Sequence, residues 1–191
     1  MKTLIINGSP KTKNSNSEVL VNKLNHYLNT DTIQINIKNY KENIDLSNYN
    51  TIIFVFPLYV DGIPSHLLEA LTNLNINEST NIYAIVNCGF PESAHTKQSL
   101  DLIRNYSIHR NLNYKGGLGI GGCGGLNGMN KNKLLKFTSK SIDKNIEELS
   151  EFILNNDPYK NTYITTNIPN SIYRYIGNLS WKKDLDKLTH K

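Results

Sequence analysis

Two unbroken apolar runs, Ile52-Ile-Phe-Val-Phe56 and Ile82-Tyr-Ala-Ile-Val86, constrain this chain more than any other feature. A strand with one wet face alternates apolar and polar residues. These runs have no wet face, and the first is closed at once by Pro57. Strands buried on both sides belong to parallel sheets whose two faces are covered by helices. Helical patterns stand where such a sheet needs them. One starts near Pro64 and Ser65 and carries Leu67, Leu68 and Leu71. Another runs from about Ser93 through Leu100, Ile103 and Ile108.

The same alternation extends in both directions. A first short strand, Thr3–Ile6, precedes a helix from about Ser17, on which Leu20, Val21, Leu24, Tyr27 and Leu28 share a face. Ile33, Ile35 and Ile37 alternate with polar residues, the pattern of a half-exposed strand at a sheet edge. A glycine-broken strand spans about Lys115–Ile120. The longest helix is expected from about Lys131 to Leu154, with Leu135, Ile142, Ile146, Leu149, Phe152 and Ile153 as its stripe. Five strands interleaved with helices predict an α/β fold: a five-stranded parallel sheet with helices on both faces. The alternation stops near Asp157. The expected division is one domain over 1–156 and an aromatic extension over 157–191, packed on that domain or on a partner subunit. The extension holds Tyr159, Tyr163, Tyr173, Tyr175 and Trp181, with Pro158 and Pro169.

Composition removes several function classes. The formal net charge is +5, but Lys is scattered and forms no dense basic block, so a solvated basic surface is expected rather than a nucleic-acid site. No segment has the length or apolarity of a membrane span or a secretory leader. The two cysteines, Cys88 and Cys123, form no CxxC pair and are too few for a zinc site or an iron–sulfur cluster. The expectation is a cytoplasmic, reduced setting, two free thiols and no metal.

In an open parallel sheet, ligands sit beyond the carboxyl ends of the strands, where the strand order reverses. Three loops occupy such ends: Gly8–Ser17, Pro57–Ile63 and Asn87–Ser93. The first offers hydroxyls at Ser9, Ser15 and Ser17, an amide at Asn16, an ammonium at Lys11 and the N–H groups of a helix start. That set suits a phosphate. Plain N-capping by Ser15, Asn16 or Ser17 accounts for part of it, but not for Ser9 and Lys11. The second loop, Pro57-Leu-Tyr-Val-Asp-Gly-Ile-Pro64, can wall a flat ring or pack as a hydrophobic turn on the next helix. In the third, Asn87-Cys-Gly-Phe-Pro-Glu-Ser93, Gly89 permits close approach and Phe90 can stack. Cys88 reads as a small buried filler, since no partner base is evident. His95 reads as a surface histidine before an acid or a substrate contact.

Two nucleotide patterns can be set aside. The phosphate-loop pattern GxxxxGK(S/T) is absent, because no second Gly-Lys follows Gly8. Gly117-Leu-Gly-Ile-Gly-Gly122 fits GxGxxG, with Asp143 about twenty residues on. It does not follow the first strand, however, and Asp143 falls within a predicted helix. A flexible or substrate-facing glycine loop is expected there.

The segments Asn7-Gly-Ser-Pro-Lys11 with Ser15-Asn-Ser17, Phe56-Pro-Leu-Tyr-Val-Asp-Gly-Ile-Pro64 and Asn87-Cys-Gly-Phe-Pro91, in this order, resemble the flavodoxin-like NAD(P)H-dependent FMN reductase and quinone reductase superfamily. Gly116–Gly125 and Ile168-Pro169, Tyr173, Gly177-Asn178 and Trp181 resemble a flavodoxin-fold branch of it. The resemblance covers nearly the whole chain and implies strand order 2-1-3-4-5, a three-layer α/β/α sandwich and bound FMN. Ser9, Lys11, Ser15, Asn16 and Ser17 would match the 5′-phosphate site. Pro57, Leu58, Tyr59 and Val60 would match one contact with the isoalloxazine, and Asn87, Cys88, Gly89 and Phe90 another. NADPH or NADH would supply hydride. A quinone, free flavin, nitro or azo compound would accept the electrons, and a homodimer is implied. The flavin carries the chemistry, so no catalytic side chain is assigned. Two departures stand out. Many relatives have Arg where this chain has Lys11, which keeps the charge but not the bidentate contact. The clustered cysteines of iron–sulfur relatives are missing. The alternatives are a flavodoxin-type electron carrier, which is disfavoured by the positive charge because such carriers tend to be acidic, and a flavin-free binding protein on the same fold.

Overall fold

A computed structural model of the chain describes residues 2–11, 13–35, 39, 41–126, 139–169, 171–175 and 178. Ile37, Leu135 with the first part of the expected long helix, Gly177 and Trp181 lie outside the described residues.

The main sheet has strands β1 (Thr3–Asn7), β2 (Asp31–Gln34), β3 (Thr51–Pro57), β4 (Asn81–Asn87), β5 (Asn113–Gly121) and β6 (Thr162–Thr165). All neighbours are parallel, and the order is 2-1-3-4-5-6. The helices packed on it include α1 (Asn16–Leu28), α2 (Ser65–Asn73), α3 (Lys97–His109) and α4 (Lys140–Asn155). A separate two-residue ladder joins Ile44–Asp45 to Leu74–Asn75.

Alternation along the strands builds two cores, one on each face. Leu4, Ile6, Ile52, Phe54, Phe56, Ile82, Ala84 and Val86 meet α2 and α3 through Leu67, Ala70, Leu71, Leu100 and Ile103. Ile5, Ile53, Val55, Tyr83, Ile85, Leu118 and Ile120 meet α1 and α4 through Leu20, Leu24, Ile142, Ile146, Leu149 and Ile153. Each such large apolar side chain contributes about 1.5–3 kcal/mol by leaving water. The two continuous runs are therefore two interleaved faces, and the layers are helix, sheet, helix.

The five-strand expectation is corrected to six. The first five strands follow the order 2-1-3-4-5, and β6 extends the sheet beyond β5, with Leu118, Gly119, Ile120 and Gly121 opposite Thr162 to Thr165. β6 is short and half exposed, so its sequence lacks an apolar run.

The glycine loop expected at Gly117–Gly122 is also corrected: most of it is strand. Gly117, Gly119 and Gly121 lie in β5 with no room for a side chain. A Cβ at Gly117 would stand 2.6 Å from Leu100 Cδ2, and one at Gly119 would strike Thr96. These glycines let the 3-10 turn Ser93–Thr96 and α3 lie close against the sheet. Ile108 faces out rather than in, with 59% of its surface exposed, while Tyr27 is 38% exposed.

Candidate functional site

The chain runs from β1 outward to β2 and then back to β3 on the other side of β1, so the strand order reverses between β1 and β3. The three loops leave the carboxyl ends of β1, β3 and β4 at this point. Asn7 pairs with Val55, and Pro57 pairs with Asn87, which places the loop origins side by side.

The first loop is built by its own polar groups. Gly8 N–H continues the ladder to Val55 O at 2.9 Å. Ser9 N–H donates to Asn7 Oδ1 at 3.1 Å, and Ser9 Oγ accepts Lys11 N–H at 3.3 Å. Gln34 Nε2 at the end of β2 holds Ser9 O at 2.7 Å. Ser15 is the N-cap of α1 and accepts Glu18 N–H at 3.0 Å, a bond that stabilises the helix start by about 1 kcal/mol. Ser9, Ser15 and Ser17 are buried, Asn16 is half buried, and Lys11 extends into solvent. The turn thus leads into the positive end of a thirteen-residue helix, with an ammonium at its rim.

Asn87 ties the three loops together. Its side-chain amide donates to Ser17 Oγ at 2.9 Å and to Phe56 O at 3.0 Å, while its own carbonyl accepts Leu58 N–H at 2.8 Å. A single buried residue therefore contacts the start of α1, the end of β3 and the first residue beyond it.

The second loop turns back on itself after Leu58. Tyr59 and Gly62 exchange both backbone hydrogen bonds at 3.0 Å around Val60 and Asp61. Both central residues have positive φ, 49° and 56°, the signature of a type I′ turn. Pro57 and Leu58 are half buried, Tyr59 is 46% exposed, and Val60 projects fully into solvent.

In the third loop the carbonyls face the protein. Cys88 O accepts Cys123 N–H, Phe90 O accepts Gly122 N–H, and Pro91 O accepts Thr165 Oγ1. Cys88 N–H donates to Ile120 O. The Cys88 thiol lies 3.4 Å from Phe90 O, and burial pushes it up to about 11. Cys88 is thus a brace and stays a neutral thiol. Phe90 is 54% exposed and stacks at 5.0 Å on His95, whose Nδ1 is 3.7 Å from Asp61 Oδ1 across the second loop. A Cβ at Gly89 would meet no atom within 4 Å, so the surface above Gly89 is open.

The structure brings the thirteen sequence-predicted residues onto one end of the sheet. It adds Asn7 and Gln34, which shape the first turn from β1 and β2, and Tyr173, whose hydroxyl reaches Gly89 O at 2.6 Å. Asn7 stood inside the quoted motif. Gln34 carries no local signal, and Tyr173 stood in the sequence only as part of the aromatic extension, with nothing local to tie it to Gly89 across 84 residues. Two polar clefts, one lined by Lys41, Asp45 and Arg110 and another by Tyr49, Asn77 and Asn156, share no residue with the three loops. Among the described residues no group of His, Cys, Asp or Glu could hold a metal ion, and no helix is long and apolar enough to cross a membrane.

No protein-family model matches the chain, and no curated protein matches it in sequence. Solved structures do. An FMN-dependent NADH-azoreductase from Bacillus anthracis in complex with FMN is 15% identical, with a TM-score of 0.52, covering 80% of this chain and 98% of that one. A general stress protein 14 from Treponema denticola in complex with FMN is 14% identical, with a TM-score of 0.53, covering 81% and 97%. RosB with a bound formylriboflavin phosphate intermediate is 13% identical, with a TM-score of 0.52, covering 83% and 82%. With the strand order described above, these likenesses establish the architecture: the chain has a flavodoxin-like fold.

Proposed function

We propose that the chain is an FMN-dependent oxidoreductase that takes hydride from NADH or NADPH and passes electrons to a small-molecule acceptor such as a quinone, free flavin, nitro or azo compound. The observation that carries this reading is the Asn87 junction. It holds a donor-rich turn, an apolar turn and an open glycine loop side by side at the reversal of the strand order.

The residues fit the group. Ser9, Lys11, Ser15, Asn16 and Ser17 would hold the phosphate, with the helix start supplying N–H donors and positive potential. Pro57, Leu58, Tyr59 and Val60 would wall one side of the ring. Asn87, Cys88, Gly89 and Phe90 would meet another, and the open space above Gly89 is what close approach of a flat ring requires. When bound, FMN supplies the hydride and electron chemistry. The chain's part is to bind, orient and shield it, and no side chain is needed as acid or base.

The fold neighbours support the reading in that two are structures in complex with FMN, and one of these is described as an FMN-dependent NADH-azoreductase. The reading includes a homodimer, with 1–156 as the flavin-binding domain and 157–191 as an extension whose strand Thr162–Thr165 joins that domain's sheet.

The purified protein should be yellow and should release FMN on denaturation, identified by chromatography against FAD and riboflavin. NADH or NADPH added without air should bleach it. A colourless protein that does not bind added FMN would overturn the reading. Bound FMN that neither nucleotide bleaches would leave a flavodoxin-type electron carrier instead.

A further inference from the structure

Three side chains from the far end of the chain grip the third loop. Thr165 Oγ1 donates to Pro91 O at 2.5 Å, and Arg174 Nη2 reaches Glu92 Oε1 at 3.2 Å. Tyr173 is placed differently. Its hydroxyl donates to Gly89 O at 2.6 Å and accepts Gly124 N–H at 2.9 Å, so both of its hydrogen-bonding directions are used. A Cβ at Gly124 would stand 2.6 Å from that hydroxyl, so glycine there makes room for the phenol.

The Gly89–Phe90 peptide is trans, as are all described peptides, and its C=O and N–H point to opposite edges. With the carbonyl turned toward Tyr173, the Phe90 N–H turns the other way. The next peptide has no N–H to offer, because residue 91 is proline, and the Cys88 N–H further back is committed to Ile120 O.

We propose that Tyr173 is a positioning residue, fixing the Gly89–Phe90 peptide so that the Phe90 N–H is presented to the electron-rich edge of the bound ring. This rests on the FMN reading. Two-electron reduction adds negative charge to the pyrimidine edge of an isoalloxazine. A fixed N–H donor aimed there stabilises the reduced form more than the oxidised form. Tyr173 thus tunes the potential of a cofactor it does not touch.

The test is Tyr173→Phe, which keeps the ring and removes the hydroxyl. Its affinity for reduced FMN should fall about tenfold more than its affinity for oxidised FMN. That difference lowers the two-electron midpoint potential by about 30 mV, as one decade corresponds to about 30 mV. In flavin-free protein, amide exchange at Gly124 should accelerate. Gly124→Ala, which pushes the phenol away without altering Tyr173, should shift the potential in the same direction and serves if Tyr173→Phe does not fold. Arg174→Ala cuts a tether of the same segment but leaves the peptide held, and should leave the potential unchanged. An unchanged potential in Tyr173→Phe, or an equal shift in Arg174→Ala, would overturn the proposal. Failure of the wild type to bind FMN would overturn the parent reading as well, and is told apart because it appears before any variant is compared.

Discussion

The side-chain amide of Asn87 donates to Ser17 Oγ at 2.9 Å, joining the end of β4 to the first turn of α1 across seventy residues of sequence. Its second hydrogen goes to Phe56 O at 3.0 Å. Asn87 is 2% exposed, so water cannot replace either bond. Asn87→Ala removes two buried hydrogen bonds and should cost about 1–3 kcal/mol in urea unfolding. Asn87→Asp should cost more, because a carboxylate would then face the Phe56 carbonyl. A stability loss in Asn87→Asp smaller than that in Asn87→Ala would show that the amide's donors are not what matters.

Ser15 has two roles that separate experimentally. Its hydroxyl caps α1 by accepting Glu18 N–H, and on the FMN reading it stands in the phosphate turn. Ser15→Ala should lower stability by about 1 kcal/mol. Combined with Asn16→Ala, it should weaken FMN more than riboflavin, since only FMN carries the phosphate. Titration of the two flavins by fluorescence quenching decides it. Equal losses would remove the loop from phosphate binding.

The sheet was legible because burial on both faces writes itself as continuous apolar sequence. Ile52–Phe56 and Ile82–Val86 became β3 and β4 almost residue for residue. β6 was not legible, because Thr162–Thr165 is a half-exposed edge strand whose stabilising partner is β5. The glycines of β5 misled for a related reason. Their cause is the Thr96 and Leu100 side chains lying against them, a tertiary fact with no local pattern. The candidate loops could be read as three separate anchors. The Asn87 bonds to Ser17 and Phe56, and the Tyr173 bond to Gly89, join residues far apart in sequence, so only the fold reveals them.

The turn after β3 holds a β-branched residue where glycine or asparagine is preferred. Val60 has φ 49° and is fully exposed, so nothing in the protein packs on its side chain in return. Strain of this kind costs on the order of 1–3 kcal/mol. Val60→Asn should therefore raise the midpoint of thermal unfolding. If Val60 walls the ring, the same variant should weaken flavin binding, so stability and affinity would move in opposite directions. A variant that gains neither stability nor loses affinity would refute both statements.

The buried thiol of Cys88, with that of Cys123, sets an alkaline limit on stability. Removal from water is the largest cause of its shift from an ordinary value of 9.0 to about 11, with the carboxylates of Glu92 and Asp61 adding to it. The folded state therefore keeps a proton that the unfolded state gives up. The stabilisation is complete below about pH 9 and is lost as pH rises toward 11. Tyr83, buried under α4 with its pKa raised to about 12, acts in the same direction at higher pH. Native protein at pH 8 should leave a thiol reagent unreacted, with both cysteines reacting once guanidinium unfolds it. Urea unfolding at pH 8 and at pH 10.5 should show a smaller drop for Cys88→Ser than for the wild type, because serine does not titrate in this range. Equal drops would mean that Cys88 does not set the alkaline limit.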